Sequence, residues 1–257
     1  MSGFLNVNGF SPIPSSGNIF NATRIDDQPD VGGVLFAAAQ PTAVGDTFGT
    51  SQVFGSMPPV DTPTLLARID HNDVMNYAEN ELDILSSNST TSNIILEAAG
   101  TNSLGQPRSI NLQHGDVPNG GIATYSGNTI TIDRRQFASD ANALGFTEDI
   151  QARQFMNVVI LDETIGMANR GSAYVNTPAG EAAINALAVS VGVNSGLVQD
   201  SEVRNSLGNL ATNRAQQAGV GSNQTATTQA ENVLNQALSK GLVTQAQVDY
   251  ARDLLGL

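Results

Sequence analysis

Phe155-Met156-Asn157-Val158-Val159-Ile160-Leu161-Asp162-Glu163-Thr164-Ile165-Gly166-Met167-Ala168 is the stretch whose reading decides the fold. It is apolar on nearly every side. A helix with no polar face cannot sit at a surface, so this one is expected to be the buried central helix of the domain. Upstream, Thr147-Glu148-Asp149 reads as its start, with a capping hydroxyl followed by acids in the first turn. Downstream, Asn169-Arg170-Gly171 ends it. The only charges within the stretch are the adjacent acids Asp162 and Glu163. They can cap a neighbour, pair with Arg153 or Arg170, or form an exposed strip. If both are buried, one needs a raised pKa or an arginine partner.

Working outward, Val74, Tyr77, Ala78, Leu82 and Leu85 follow helical spacing and predict a helix over 72–86, capped by Asn72 or Asp70. The run 86–91 breaks it. Asn93 to Ala99 is a second short apolar stretch, stopped by Gly100. Arg108 to Leu112 alternates polar and apolar, as a strand does. Ala123-Thr124-Tyr125 follows, then a turn at Ser126-Gly127-Asn128. Asn128-Thr129-Ile130-Thr131-Ile132-Asp133 gives the cleanest alternation in the chain, with the isoleucines on one face and the threonines on the other.

Beyond the central stretch, a helix is expected over 178–191. Pro178 lies in its first turn, and Ala182, Ile184, Leu187 and Val189 face the core. From 195 onward short helices are expected, with a polar linker near 216–228. Glu231 to Leu255 reads as a helical hairpin broken at Gly241 and capped again at Thr244. Residues 1–60 are rich in Gly, Pro, Ser and Asn and read as an irregular arm. Its short apolar run Val31 to Ala37 suits packing on a neighbouring subunit. The expected organisation is thus an arm over 1–60, an α+β core over 61–195 and a helical region over 196–257. No repeat at a fixed period occurs.

Composition narrows the chemistry. Twenty-four acidic residues stand against 11 basic ones, for a net charge of −13, and Lys240 is the sole lysine. Such a chain is ill suited to nucleic acid, where cations must neutralise phosphates, or to an anionic membrane surface. Cysteine is absent, which removes disulfides, thiolate metal sites and thiol nucleophiles. His71 and His114 are the only histidines, so a three-histidine metal site is impossible. Both lie in solvated turns and read as surface residues without function. No apolar run approaches the ~18 residues of a membrane helix. No basic and apolar leader opens the chain, so no cleaved signal is expected; localisation is left open, with signal-less secretion and virion association among the options. No phosphate loop, dinucleotide fingerprint or Gly-x-Ser-x-Gly elbow is present. The three Asn-x-Ser/Thr sites at Asn21, Asn88 and Asn223 read as chance in an Asn- and Thr-rich chain.

The order of elements from about 79 to 185 resembles zincin-like metallopeptidase domains of bacterial toxins and effectors. The matching pieces are Leu82 to Ser87, Ile94-Ile95-Leu96, Ser109 to Leu112, Asn128 to Asp133 and Asn157 to Glu163. In such domains an edge strand precedes a helix bearing His-Glu-x-x-His. The two histidines, one turn apart, face one zinc ion, and the glutamate takes a proton from zinc-bound water. Here Asp162 stands at the first ligand position, Gly166 at the second and Glu163 at the base. By the same resemblance, Glu181 stands where some zincins have a third, glutamate ligand. Glycine has no ligand atom, and two carboxylates hold zinc poorly without imidazole.

The resemblance implies a zincin-like layout, with a small sheet packed on the central helix. It also implies a catalytically inactive metallopeptidase-like module that binds a protein partner. Two rivals stand beside it. One is a structural assembly protein of a virion or surface layer, with the arm making subunit contacts. The other is a hydrolase with Glu163 as base and an atypical carboxylate metal site at Asp162 and Glu181. No cofactor is expected; the alternatives are zinc at those carboxylates, or calcium at Asp70, Asp73 or Asp116.

Overall fold

The computed structural model describes residues 69–117 and 121–257. The expected arm over 1–60 lies outside the described residues. What is described is a mixed α+β structure, mostly helical, with one small sheet. Its elements in chain order are α1 (Val74–Ser87), α2 (Ser92–Ala99), β1 (Asn111–His114), β2 (Ala123–Ser126), β3 (Thr129–Ile132), α3 (Arg134–Ala143), α4 (Asp149–Ala168), α5 (Pro178–Asn194), α6 (Ser201–Gln217), α7 (Gln224–Ser239) and α8 (Gln245–Leu255).

Two helices, α4 and α5, form the axis of the core and pack on each other. Every residue of α4 from Gln154 to Ala168 is buried. Helix α5 is buried without a break from Ala179 to Gly192, and alanine and glycine make up much of that run. Small side chains let the two backbones approach. A Cβ on Gly192 would stand 3.0 Å from Val198 Cγ2 and 3.3 Å from Val158 Cγ2 of α4. Around this axis, α1, α2 and β2 cover α4, while α6, α7 and α8 cover α5. One apolar cluster runs from Ile69 to Leu255 through both sets. At its centre, Phe155 of α4 stacks on Phe137 of α3 at 4.8 Å. It also meets Phe146 edge-on at 5.6 Å. Each such pair adds about 1 kcal/mol beyond its buried area.

The ends of the helices have local causes. Gln151 accepts hydrogen bonds from the backbone N–H groups of Thr147 and Glu148, closing the first turn of α4. The residue at the cap position is Glu148, one beyond the expected Thr147. At the other end, Arg170 donates to the carbonyls of Met167 and Ala98, both at 2.7 Å. A cation there meets the negative ends of α2 and α4 together. Helix α5 starts at Thr177, whose hydroxyl accepts from the Gly180 N–H, with Pro178 at the first helical position. Helix α2 stops at Gly100, as expected, because its φ of 67° suits a residue without a Cβ. Helix α1 begins later than expected, with Asp73 at the cap position. Asp70 instead accepts from the backbone of Asn72.

The sheet has the order β1-β3-β2, with β1 parallel and β2 antiparallel to β3. The alternation of 128–133 is realised: Ile130 and Ile132 are buried, while Thr129 and Thr131 are half-buried. Its place in the sheet is not the expected one. An edge strand was expected here, but β3 is the middle strand and pairs on both sides. A peptide therefore has no free edge at 128–133 to add to.

Three other differences arise where the sequence is polar. Helix α3 forms where no helix was expected, because Asp133 accepts from the N–H groups of Arg135 and Gln136 and starts it. Helix α6 runs for 17 residues rather than as short pieces, started in the same way by Asp200. The expected linker over 216–228 shrinks to 218–223, since Asn223 caps α7 through the N–H groups of Thr225 and Ala226. In each case a capping side chain outweighs weak helix propensity. The hairpin of α7 and α8 forms, with α7 starting at Gln224 rather than Glu231 and with Thr244 capping α8 as expected.

Candidate functional site

Four elements bring polar side chains together inside the core. Helix α4 supplies Asp162 and Glu163, and the first two turns of α5 supply Glu181 and Asn185. The end of α6 supplies Arg214, and β2 supplies Tyr125. Asp162 and Glu163 are each 2% exposed, Glu181 6% and Asn185 1%. Asn185 donates from Nδ2 to Asp162 Oδ1 at 2.5 Å. Arg214 Nη2 stands 3.7 Å from Glu181 Oε2. Asp162 Oδ2, Glu163 Oε2, Glu181 Oε1 and Asn185 Oδ1 are buried without a hydrogen-bond partner.

Burial dominates the electrostatics. It drives the Asp162 carboxyl well above the ordinary carboxylate range, against Arg214 and the Asn185 hydrogen bond, which favour the charged form. Glu163 is driven up by burial and then by Asp162 and Glu181, with Arg214 opposing. Glu181 is raised by burial against Arg214. Burial lowers the guanidinium of Arg214, while the three carboxyls hold it up. The Tyr125 hydroxyl is pushed up to about 12, by burial first and then by Glu163.

Gly166 lies one turn beyond Asp162, and a Cβ built on it would stand 3.1 Å from Tyr125 Cε1 and 3.6 Å from the hydroxyl. The aromatic ring of β2 thus fills the space above the glycine. Any larger side chain at 166 meets that ring first.

The expected site residues come together in part. Asp162, Glu163 and Glu181 share one buried cluster. The two arginines considered as partners go elsewhere. Arg153 Nε donates to Glu81 Oε1 at 2.6 Å, and Arg170 serves backbone carbonyls. The cation beside the acids is Arg214, which sequence reasoning missed. A signal for it exists: Val203, Leu207, Ala211 and Ala215 form the buried stripe of α6, and Arg214 lies at its margin. His71 stands 3.5 Å from Asp70 at an exposed turn, and His114 ends β1 exposed. Asp70 and Asp73 sit at the start of α1, while Asp116 follows β1. Among the described residues, no group of three His, Cys, Asp or Glu side chains is arranged to hold a metal ion.

A polar surface cavity of about 260 Å³ lies away from this cluster, lined by Asp73, Asn76, Tyr77, Asn80, Asp149 and Arg153. There the Tyr77 hydroxyl donates to Asp149 Oδ1 at 2.8 Å. Burial, then that bond, pushes the phenol pKa upward. Among the described residues no helix is long and apolar enough to cross a membrane. No known protein family, curated protein or solved structure matches this chain.

Proposed function

We propose that this chain is a catalytically inactive, metallopeptidase-like module of zincin-like layout, acting by binding a protein partner or a copy of itself. One observation carries the reading. The ring of Tyr125 lies over Gly166, where a zinc peptidase would carry its second histidine. Hydrolysis by that mechanism needs an open metal position and a water beside the glutamate. In this chain Asp162 is engaged by Asn185 and Glu181 faces Arg214. Glu163 is buried inside the core. The site positions are filled as packing and a polar cluster rather than as a cleft.

Two measurements test this. The full chain is assayed against an unfolded protein substrate with zinc added, beside Glu163→Gln. No turnover above background in either is expected. Zinc-dependent cleavage that disappears in Glu163→Gln would overturn the proposal. Sedimentation of the full chain across a concentration series then separates self-association from binding of another protein.

A further inference from the structure

Charge counting in the α4–α5–α6 cluster leads to an inference that does not depend on the zincin-like reading. Asp162, Glu163 and Glu181 are three acids within one buried cluster, and the cation set among them is the guanidinium of Arg214. If all three were ionised, the interior would hold an excess of two negative charges. Burying uncompensated charge is costly enough that groups neutralise instead. The hydrogen-bond pattern points the same way. Four buried acceptor oxygens, one on each acid and one on Asn185, have no donor. A proton on a carboxyl turns an orphan acceptor into a donor and meets both deficits at once.

Among the described residues, the other charged groups around the cluster do not relieve it. Arg170 serves the carbonyls of Met167 and Ala98. Lys240, just beyond the end of α7, donates to the Ala168 carbonyl at 2.6 Å. On α1, Glu81 is matched by Arg153 nearer the start of α4. Tyr125 of β2 faces Glu163 as a neutral phenol.

We propose that Asp162, Glu163 and Glu181 form a proton-storing clasp with Arg214 that joins α6 to the α4–α5 pair and weakens as pH rises. One carboxylate balances the guanidinium, and the remaining acids carry protons in the folded state. Those protons are absent from the unfolded chain at neutral pH, where carboxyls ionise at ~4. The sign follows. The folded acids titrate above their unfolded values. Their stabilisation is therefore fully present below the unfolded carboxylate range and is lost as pH rises through the folded values.

The test is denaturant unfolding of the full chain between pH 5 and 8, with chelator present, for wild type, Glu163→Gln and Asp162→Asn. Each proton held only by the folded state makes the folding constant fall about 10-fold per pH unit. Each variant removes one such proton, so wild type is expected to fall more steeply than either variant, by up to about 10-fold per pH unit. Equal slopes would overturn the proposal. If a variant does not fold, the infrared carbonyl band of a protonated carboxylic acid is read at neutral pH on native protein. The band is read in an Asp140→Asn background, because Asp140 also holds a proton near neutrality; its presence there, with loss at alkaline pH while the fold persists, supports the clasp, and its absence overturns it.

Discussion

Substituting Gly166 by alanine tests whether Tyr125 occupies the space above that glycine. Two effects oppose each other. Gly166 lies in the last turn of α4, and replacing a helical glycine by alanine stabilises by up to about 1 kcal/mol. Against that, the new Cβ would lie 3.1 Å from Tyr125 Cε1, short of ordinary contact, so the ring must move by a few tenths of an ångström. Overpacking of this kind costs about 1–3 kcal/mol. The expected net is a loss of about 1 kcal/mol, or about 2–4 °C in Tm for a domain of this size. Removing the ring reverses the sign. In a Tyr125→Ala background, Gly166→Ala is expected to stabilise by about 1 kcal/mol, since only the propensity term remains. The coupling between the two sites is then about 2 kcal/mol, read by denaturant unfolding of the four proteins in a double-mutant cycle. Additivity within about 0.5 kcal/mol would refute the reasoning, because groups not in contact add. It would also remove the observation on which the proposed function stands.

Two further outcomes are expected. Asp140 of α3, whose buried Oδ2 has no partner, is pushed up to about 7 by burial, so its contribution is present near pH 4 and is lost as pH rises through neutrality. Asp140→Asn should therefore be about 1–2 kcal/mol more favourable at pH 8 than at pH 4.5, a figure reduced for its partial exposure; an equal effect at both pH values in urea titrations would contradict this. Gly180→Ala would place a Cβ 1.8 Å from the Tyr174 carbonyl oxygen, a backbone atom that cannot turn aside. A loss of at least about 2 kcal/mol is expected by thermal unfolding, and a variant as stable as wild type would show that the 174–180 turn relaxes freely.

Much of the architecture was legible in the residue pattern. The all-round apolar run of 155–168 can only be buried, and it is the core helix. The alternation of Ile130 and Ile132 specifies a strand with one face inward. Pro178, Gly100 and Thr244 mark helix ends, because each acts through its own backbone or the next turn. Less legible were α3 and α6. Their caps, Asp133 and Asp200, are common residues, and both helices average polar. Helices of that kind are stabilised by packing against a neighbour, which a local window does not contain.

The site divides in the same way. Sequence alone established that Asp162 and Glu163 interrupt an apolar helix, that Gly166 offers no ligand atom, and that few cations exist to answer 24 acids. Those are properties of residue identity and helical period. The tertiary structure alone decided that Arg214, more than 50 positions from Asp162 along the chain, is the cation of the cluster, and that Tyr125 fills the space over Gly166. It also decided that β3 is the middle strand. Strand order and the filling of a core depend on which surfaces meet. Such pairings are selected by the shape and charge of distant segments acting together.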